Sequence, residues 1–175
     1  MKKNLSLWQL VGFSAVSLLG TLLHFLYDLT ENSFTALFSA VNESTWEHMK
    51  LLFFPLFLFA IMESFFLRKE HKNFWCIKIK GTILGLILIP VIFYTLQGIF
   101  GKTPDWINIS IFFVCAGITF LFETKAFLKE PQGKCFPFLA LFLFILIAIA
   151  FWAFTFFPPQ IPLFQDPITQ GYGIV

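Results

Sequence analysis

Five long apolar runs separated by short polar segments dominate the hydrophobic pattern, covering about residues 7–27, 46–67, 81–100, 106–122 and 136–157. Each approaches the roughly 20 residues that a helix needs to cross a hydrocarbon core of about 30 Å. A segment surrounded by lipid must satisfy its own backbone groups, so the runs predict helices. No alternating pattern of the barrel kind and no internal repeat is visible. The predicted fold class is all-α: an integral membrane bundle of about five transmembrane helices, forming one domain over residues 1–175. Met1-Lys2-Lys3 before an apolar run also suits a secretory signal. The run is long, however, and Leu22-Leu23-His24-Phe25 offers no small-residue cleavage site, so an uncleaved first helix is expected. Pro55 and Pro90 fall inside the second and third runs and predict kinks supported by neighbouring helices.

Between the first two runs, Phe34, Leu37, Phe38 and Val41 recur at i, i+3, i+4 and i+7. That spacing predicts a short amphipathic helix lying at the membrane interface. After the fifth run, residues 158–175 hold Pro158, Pro159, Pro162 and Pro167, which favour an extended path. Ile161, Leu163 and Phe164 are costly to leave in water, so the tail is expected to fold back over the outer mouth, with Gly171-Tyr172-Gly173 as a turn.

Composition strengthens the membrane reading. Of 175 residues, 58% are hydrophobic, 13% are charged and 27 are Phe. A water-soluble domain carries about 25% charged residues. In water a chain of this size would expose large apolar patches and aggregate. The net charge of +2 is too small and too dispersed for nucleic acid. Basic residues set the expected orientation. Lys2 and Lys3 precede the first helix, Arg68, Lys69, Lys72, Lys78 and Lys80 fill the second connection, and Lys125, Lys129 and Lys134 fill the fourth. Only Lys50 and Lys102 fall on the other side. The N-terminus is therefore expected inside and the C-terminus outside a bacterial cytoplasmic membrane. Trp8 and Trp75 then suit the inner aromatic belt, and Trp46 and Trp106 the outer one. Cys76, Cys115 and Cys135 match no zinc or redox spacing. With Cys76 and Cys135 on the cytoplasmic side, reduced thiols are expected.

Polar chemistry collects at the outer end. Asp28, Glu31, Glu43, Glu47, Asp105 and Asp166 fall there, with His24 and His48. His71 falls in the basic connection, where a surface role is expected. His24 and Asp28 share a helical face near Tyr27, and so do Glu43 and Glu47, with Ser44 and His48 on the adjacent one. Pairing the first two helices antiparallel brings these ends together. The predicted ligand-binding set is His24, Tyr27, Asn42, Glu43, Glu47, His48 and Asp166. Within it, His24, Glu43, Glu47 and His48 suit a divalent metal, whether zinc, iron or manganese. An open position on such a metal activates water for hydrolysis. A plainer account stands beside this one. Ser44-Thr45-Trp46-Glu47 is a capping-box pattern, Asn42 is a second candidate cap, and Glu47 can pair with Lys50. Glu63 and Glu123 lie near basic residues, where snorkelling and ion pairing account for them; a relay from Glu47 to Glu63 has no charged group between Lys50 and Glu63 to carry it.

Three functions fit these residues: an outward polar pocket for a small ligand, ion or lipid headgroup; a metal-dependent intramembrane hydrolase; and a structural or accessory subunit. The expected partners are the lipid bilayer and a small ligand or lipid, with oligomers open and nucleic acid excluded. Nucleophile-elbow, phosphate-loop and dinucleotide patterns are absent from the sequence. In Leu23-His24-Phe25-Leu26-Tyr27, in Asn42-Glu43-Ser44-Thr45-Trp46-Glu47-His48-Met49-Lys50 and in the tail through Asp166-Pro167 and Tyr172-Gly173, the chain resembles an uncharacterised family of small bacterial multi-pass membrane proteins. That resemblance implies the membrane class and lends no mechanism.

Overall fold

A computed structural model describes residues 2–101, 103–129 and 135–174, without the side chains of Lys2, Lys3, Asn4 and Asp105. Lys102 and Lys134, which enter the charge count, lie outside the described residues. The described fold is helical: α1 (Lys2–Thr30), α2 (Ser33–Ala36), α3 (Thr45–Leu67), α4 (Phe74–Phe100), α5 (Asp105–Lys129), α6 (Pro137–Phe156) and a 3₁₀ turn at Pro162–Phe164. Five helices are long and apolar enough to cross a membrane. All but α2 are longer than the turns beside them, so the chain runs up and down.

The third long helix begins at Phe74, about two turns before the apolar run at 81. The fourth continues to Lys129 rather than 122. Lys78, Lys80, Lys125 and Lys129 are therefore helical, and Lys78 is fully buried. Glu63 and Glu123 are buried with it, so ion pairing accounts for them and snorkelling does not. The apolar-run criterion loses such turns because a paired charge lowers local hydropathy without ending a helix.

α3 packs against every long helix of the bundle except that its contacts with α5 are sparse, and α4 joins α5 on one side and α6 on the other. Pro55 sits inside α3 and has no N–H to offer the carbonyl of Leu51. That oxygen faces Gly20 of α1, where an added Cβ would stand 3.0 Å from it and 2.4 Å from the Phe112 ring. A glycine at this position lets α1 approach the gap in the α3 ladder. The aromatic residues divide between interior and periphery. Phe53, Phe144 and Phe151 are fully buried, whereas Phe138, Phe65 and Phe100 point outward. Trp75 and Trp46 depart from a simple belt: Trp75 is buried, and Trp46 is half-buried between Phe151, Phe154 and Phe164.

The helix expected over 34–41 is a single turn, α2, capped by the Asn32 side chain, which accepts the Phe34 amide at 2.8 Å. The tail lies on the start of α3. Phe164 packs tilted against Trp46 with ring centroids 4.8 Å apart, Asn42 Nδ2 donates to the Gly173 carbonyl at 2.8 Å, and Gln165 bridges to Tyr172. Gly173 adopts a φ of 71°, which favours glycine, and an added Cβ there would stand 3.1 Å from Pro158.

One expectation is overturned. Cys76 and Cys135 form a disulfide across 59 residues, with Cα atoms 6.0 Å apart, and only Cys115 is a buried free thiol among the described residues. The spacing hid the pair because the start of α4 and the residues before α6 meet only after the helices have packed. The bridge fastens α6 to α4 at the end opposite His24.

Candidate functional site

The histidine end is assembled from the C-terminal turns of α1, the connection 31–44 and the first turns of α3. Ser44 is the N-cap of α3, its Oγ accepting the Glu47 amide at 3.4 Å. The reciprocal arm of a capping box is missing. Asn42 Oδ1, rather than Glu47, accepts the Ser44 amide, at 2.9 Å. Glu47 is thereby free for a different task.

That task is a closed ion-pair network. Glu47 Oε2 pairs with Lys50 Nζ and also accepts the Val41 amide at 3.2 Å. Glu47 Oε1 accepts the Thr155 hydroxyl at 3.0 Å. Lys50 Nζ donates to the Ala36 carbonyl at 2.8 Å and to Thr155 Oγ1 at 3.0 Å. Glu47, Lys50 and Thr155 are all buried. Two opposite charges, each with further hydrogen bonds, satisfy one another without water, the condition under which a buried pair is tolerated. The network joins α2, α3 and α6.

One turn away, His24, Glu43 and His48 form an open cluster. Glu43 Oε1 lies 3.6 Å from His24 Nε2, and Glu43 Oε2 lies 3.5 Å from His48 Nε2. The two imidazoles meet edge-on with centroids 5.4 Å apart. One ligand atom from each of the three residues falls within 4.8 Å of the others. These separations exceed the 2.7–3.2 Å of a good hydrogen bond. Two ligands at about 2.0–2.1 Å around a tetrahedral zinc stand roughly 3.3–3.4 Å apart, close to what is seen here. His48 Nδ1 lies 2.9 Å from the Ser44 carbonyl, and can only donate to it. That bond leaves the Nε2 lone pair facing Glu43, the second-shell arrangement common for metal-binding histidines. His24 Nδ1 is buried without a hydrogen-bond partner. The Glu43 side chain is 40% exposed, so the cluster is open to exchange with its surroundings.

A residue that sequence reasoning passed over holds His24 in place. Ser39 is fully buried. Its Oγ donates to the Leu23 carbonyl and accepts the Tyr27 amide at 2.9 Å. In an undisturbed helix those two groups bond to each other. The Ser39 hydroxyl thus touches both partners of one ladder bond in the turn carrying His24, a contact of the kind that bends helices. The Glu47–Lys50 pair is the one the sequence suggests, whereas Thr155, which completes the network, lies on a helix distant in sequence.

The remaining predicted residues lie apart from the cluster. Glu47 is in the closed network. Tyr27 contributes its backbone amide to Ser39, and Asn42 ties the tail. Asp166 is buried within the tail, where its carboxylate accepts the Ile168 amide at 2.8 Å and the Thr169 hydroxyl at 2.9 Å. Asp28 and Glu31 are exposed, and His71 rests its ring on Phe127 at 4.9 Å. Two grooves of about 400 and 380 Å³ lie elsewhere. One flanks the disulfide between α4, α5 and α6, and the other runs over Phe54, Pro55 and Trp152; neither includes a histidine of the cluster.

No curated protein and no solved structure matches the chain. A family model does match, over residues 1–174, and the chain belongs to that family of unknown function, DUF6512.

Proposed function

We propose that this is a multi-pass protein of the cell membrane that binds a divalent metal ion through His24, Glu43 and His48. The observation that carries the reading is the convergence of three donor residues within 4.8 Å, with one imidazole 3.6 Å and the other 3.5 Å from the two Glu43 oxygens and the His48 tautomer set by the Ser44 carbonyl. Two imidazoles and a carboxylate favour zinc, with iron or manganese as competitors. A small ligand or a lipid headgroup would take the fourth position. The test is elemental analysis of the detergent-purified chain after incubation with each metal and removal of the excess. One zinc per chain is expected, lost in H48A and in E43Q and retained in D28N, with the metal-free melting temperature unchanged in all three. Absence of any bound metal in the wild type sinks the reading.

Hydrolysis is a second reading, favoured by the same donor set. A His₂Glu site with an open position is the pattern of catalytic rather than structural zinc, and bound water there loses a proton near neutrality.

On this reading the N-terminus lies inside. Exposed Arg68, Lys69, Lys72, Lys80, Lys125 and Lys129 at one end support this by the positive-inside rule, although buried Lys78 leaves the count. The Cys76–Cys135 bridge lies at that same end, and the cytosol keeps thiols reduced. The bridge therefore counts against this orientation and the basic residues count for it. Labelling by a membrane-impermeant thiol reagent, before and after reduction of intact cells, decides it: labelling from outside after reduction reverses the orientation.

A further inference from the structure

A second charged cluster lies near the other end of α3, and none of the functions considered above uses it. Gln9 of α1, Glu63 of α3, Lys78 of α4 and Glu123 of α5 converge there, with Gln9 4% exposed and the three charged residues fully buried. Lys78 Nζ stands 2.5 Å from Glu123 Oε2 and 3.0 Å from Glu63 Oε2, the latter as an ion pair lying off the line of a hydrogen bond. Gln9 Nε2 donates to Glu63 Oε1 at 2.8 Å. The rings of Phe120 and Phe59 lie 5.2 and 5.8 Å from the ammonium. These two carboxylates and one ammonium are the ionisable groups that the four packed helices bring to this point. Leu52, Leu56 and Phe59 fill the bundle between this cluster and Glu47, so it is separate from the histidine end.

The charge count does not close. Lys78 is held by two carboxylates and two ring faces, which keeps it an ammonium. With both acids ionised the buried cluster carries one uncompensated negative charge, and isolated buried charge is among the costliest features a fold can hold. The hydrogen bonds do not close either: Gln9 Oε1 and Glu123 Oε1 are both buried acceptors with no donor. A water molecule would supply donors and leave the charge. A metal cation would need several oxygen ligands and would sit against the Lys78 ammonium. A single proton on Glu123 Oε1 cancels the excess charge and turns that orphaned acceptor into a donor. Gly81 lets α4 close on this carboxyl, since an added Cβ there would stand 2.7 Å from Glu123 Oε1.

We propose that Gln9, Glu63, Lys78 and Glu123 form a proton-binding site in the interior of the bundle, with one proton held by the carboxyl pair and carried on Glu123. Four helices pack against the site, so release of the proton places net negative charge where α1, α3, α4 and α5 meet. The packing of these helices is thereby coupled to proton occupancy.

The test is infrared spectroscopy of the full chain in lipid at neutral pH, with glutamate carboxyl carbons isotopically labelled. The wild type should show one protonated-carboxyl band that moves with the label. Either E63Q or E123Q makes the cluster neutral without a proton, so the band should vanish in both, with the melting temperature retained. The double variant leaves Lys78 as an unpaired buried charge and should melt lower than either single variant. No labelled band in the wild type overturns the proposal whatever the variants do. So does a band that persists in both single variants, which would belong to another carboxyl, and so does a wild-type melting temperature that rises with sodium while the band is missing.

Discussion

Glu43 and Glu47 stand four residues apart, one just before the N-cap of α3 and the other in its first turn, and their surroundings differ in almost every respect. Glu47 is buried, and each of its oxygens is taken up by Lys50, Thr155 or the Val41 amide. Glu43 is 40% exposed and faces two imidazoles at distances too long for good hydrogen bonds. The closed network is complete as it stands and has nothing to offer a ligand. The open cluster brings one donor atom from each of three residues within 4.8 Å of the others. Satisfaction of donors and acceptors, more than residue type, separates a structural carboxylate from a site-forming one.

Breaking the closed side should have the largest effect. K50M strands the Glu47 carboxylate among Thr155, Val41 and apolar neighbours, and removing one partner of a buried pair costs about 3–5 kcal/mol. Thermal unfolding in detergent should show that loss in K50M and recovery of most of it in the double variant E47Q/K50M, which removes both charges together. E43Q, on the open side, should shift metal-free stability by no more than about 0.5 kcal/mol, as for an ordinary partly exposed position. Equal losses in K50M and E43Q would erase the distinction between the two sites.

The same contrast explains what the sequence made legible. Runs of apolar residues announce five helices because lipid leaves an isolated segment one way to satisfy its backbone. His24, Glu43 and His48 were recoverable because two adjacent helices carry them and the connection between is short. Lys50 with Thr155, and Lys78 with Glu63 and Glu123, are pairings across 105, 15 and 45 residues, and nothing local in the sequence distinguishes them from interfacial charges. The capping-box pattern at Ser44 was half right in physical terms: the serine caps, and the glutamate has a stronger partner in an ammonium than in an amide. The Cys76–Cys135 bridge was hidden for the same reason as the ion pairs, since helix packing creates it.

A subtler substitution tests how far the open cluster depends on its supports. Ser39 touches neither His48 nor Glu43 by any hydrogen bond, yet it occupies the α1 ladder between Leu23 and Tyr27, directly beneath His24. In S39A the Leu23 carbonyl and Tyr27 amide can rejoin, so the loss of two hydrogen bonds is partly offset and stability should fall by only about 1 kcal/mol. The turn carrying His24 then straightens and its imidazole moves away from Glu43. Supports of metal ligands typically contribute 10–100-fold to affinity, so zinc affinity, measured by competition with a chelating dye, should weaken by about 10-fold or more. Closure of the helix ladder and loss of metal affinity would arrive together in this one variant. An S39A protein that melts about 1 kcal/mol lower but binds zinc as tightly as the wild type would mean that His24 keeps its position without the inserted hydroxyl, leaving Ser39 as a fastening between α1 and the connection alone.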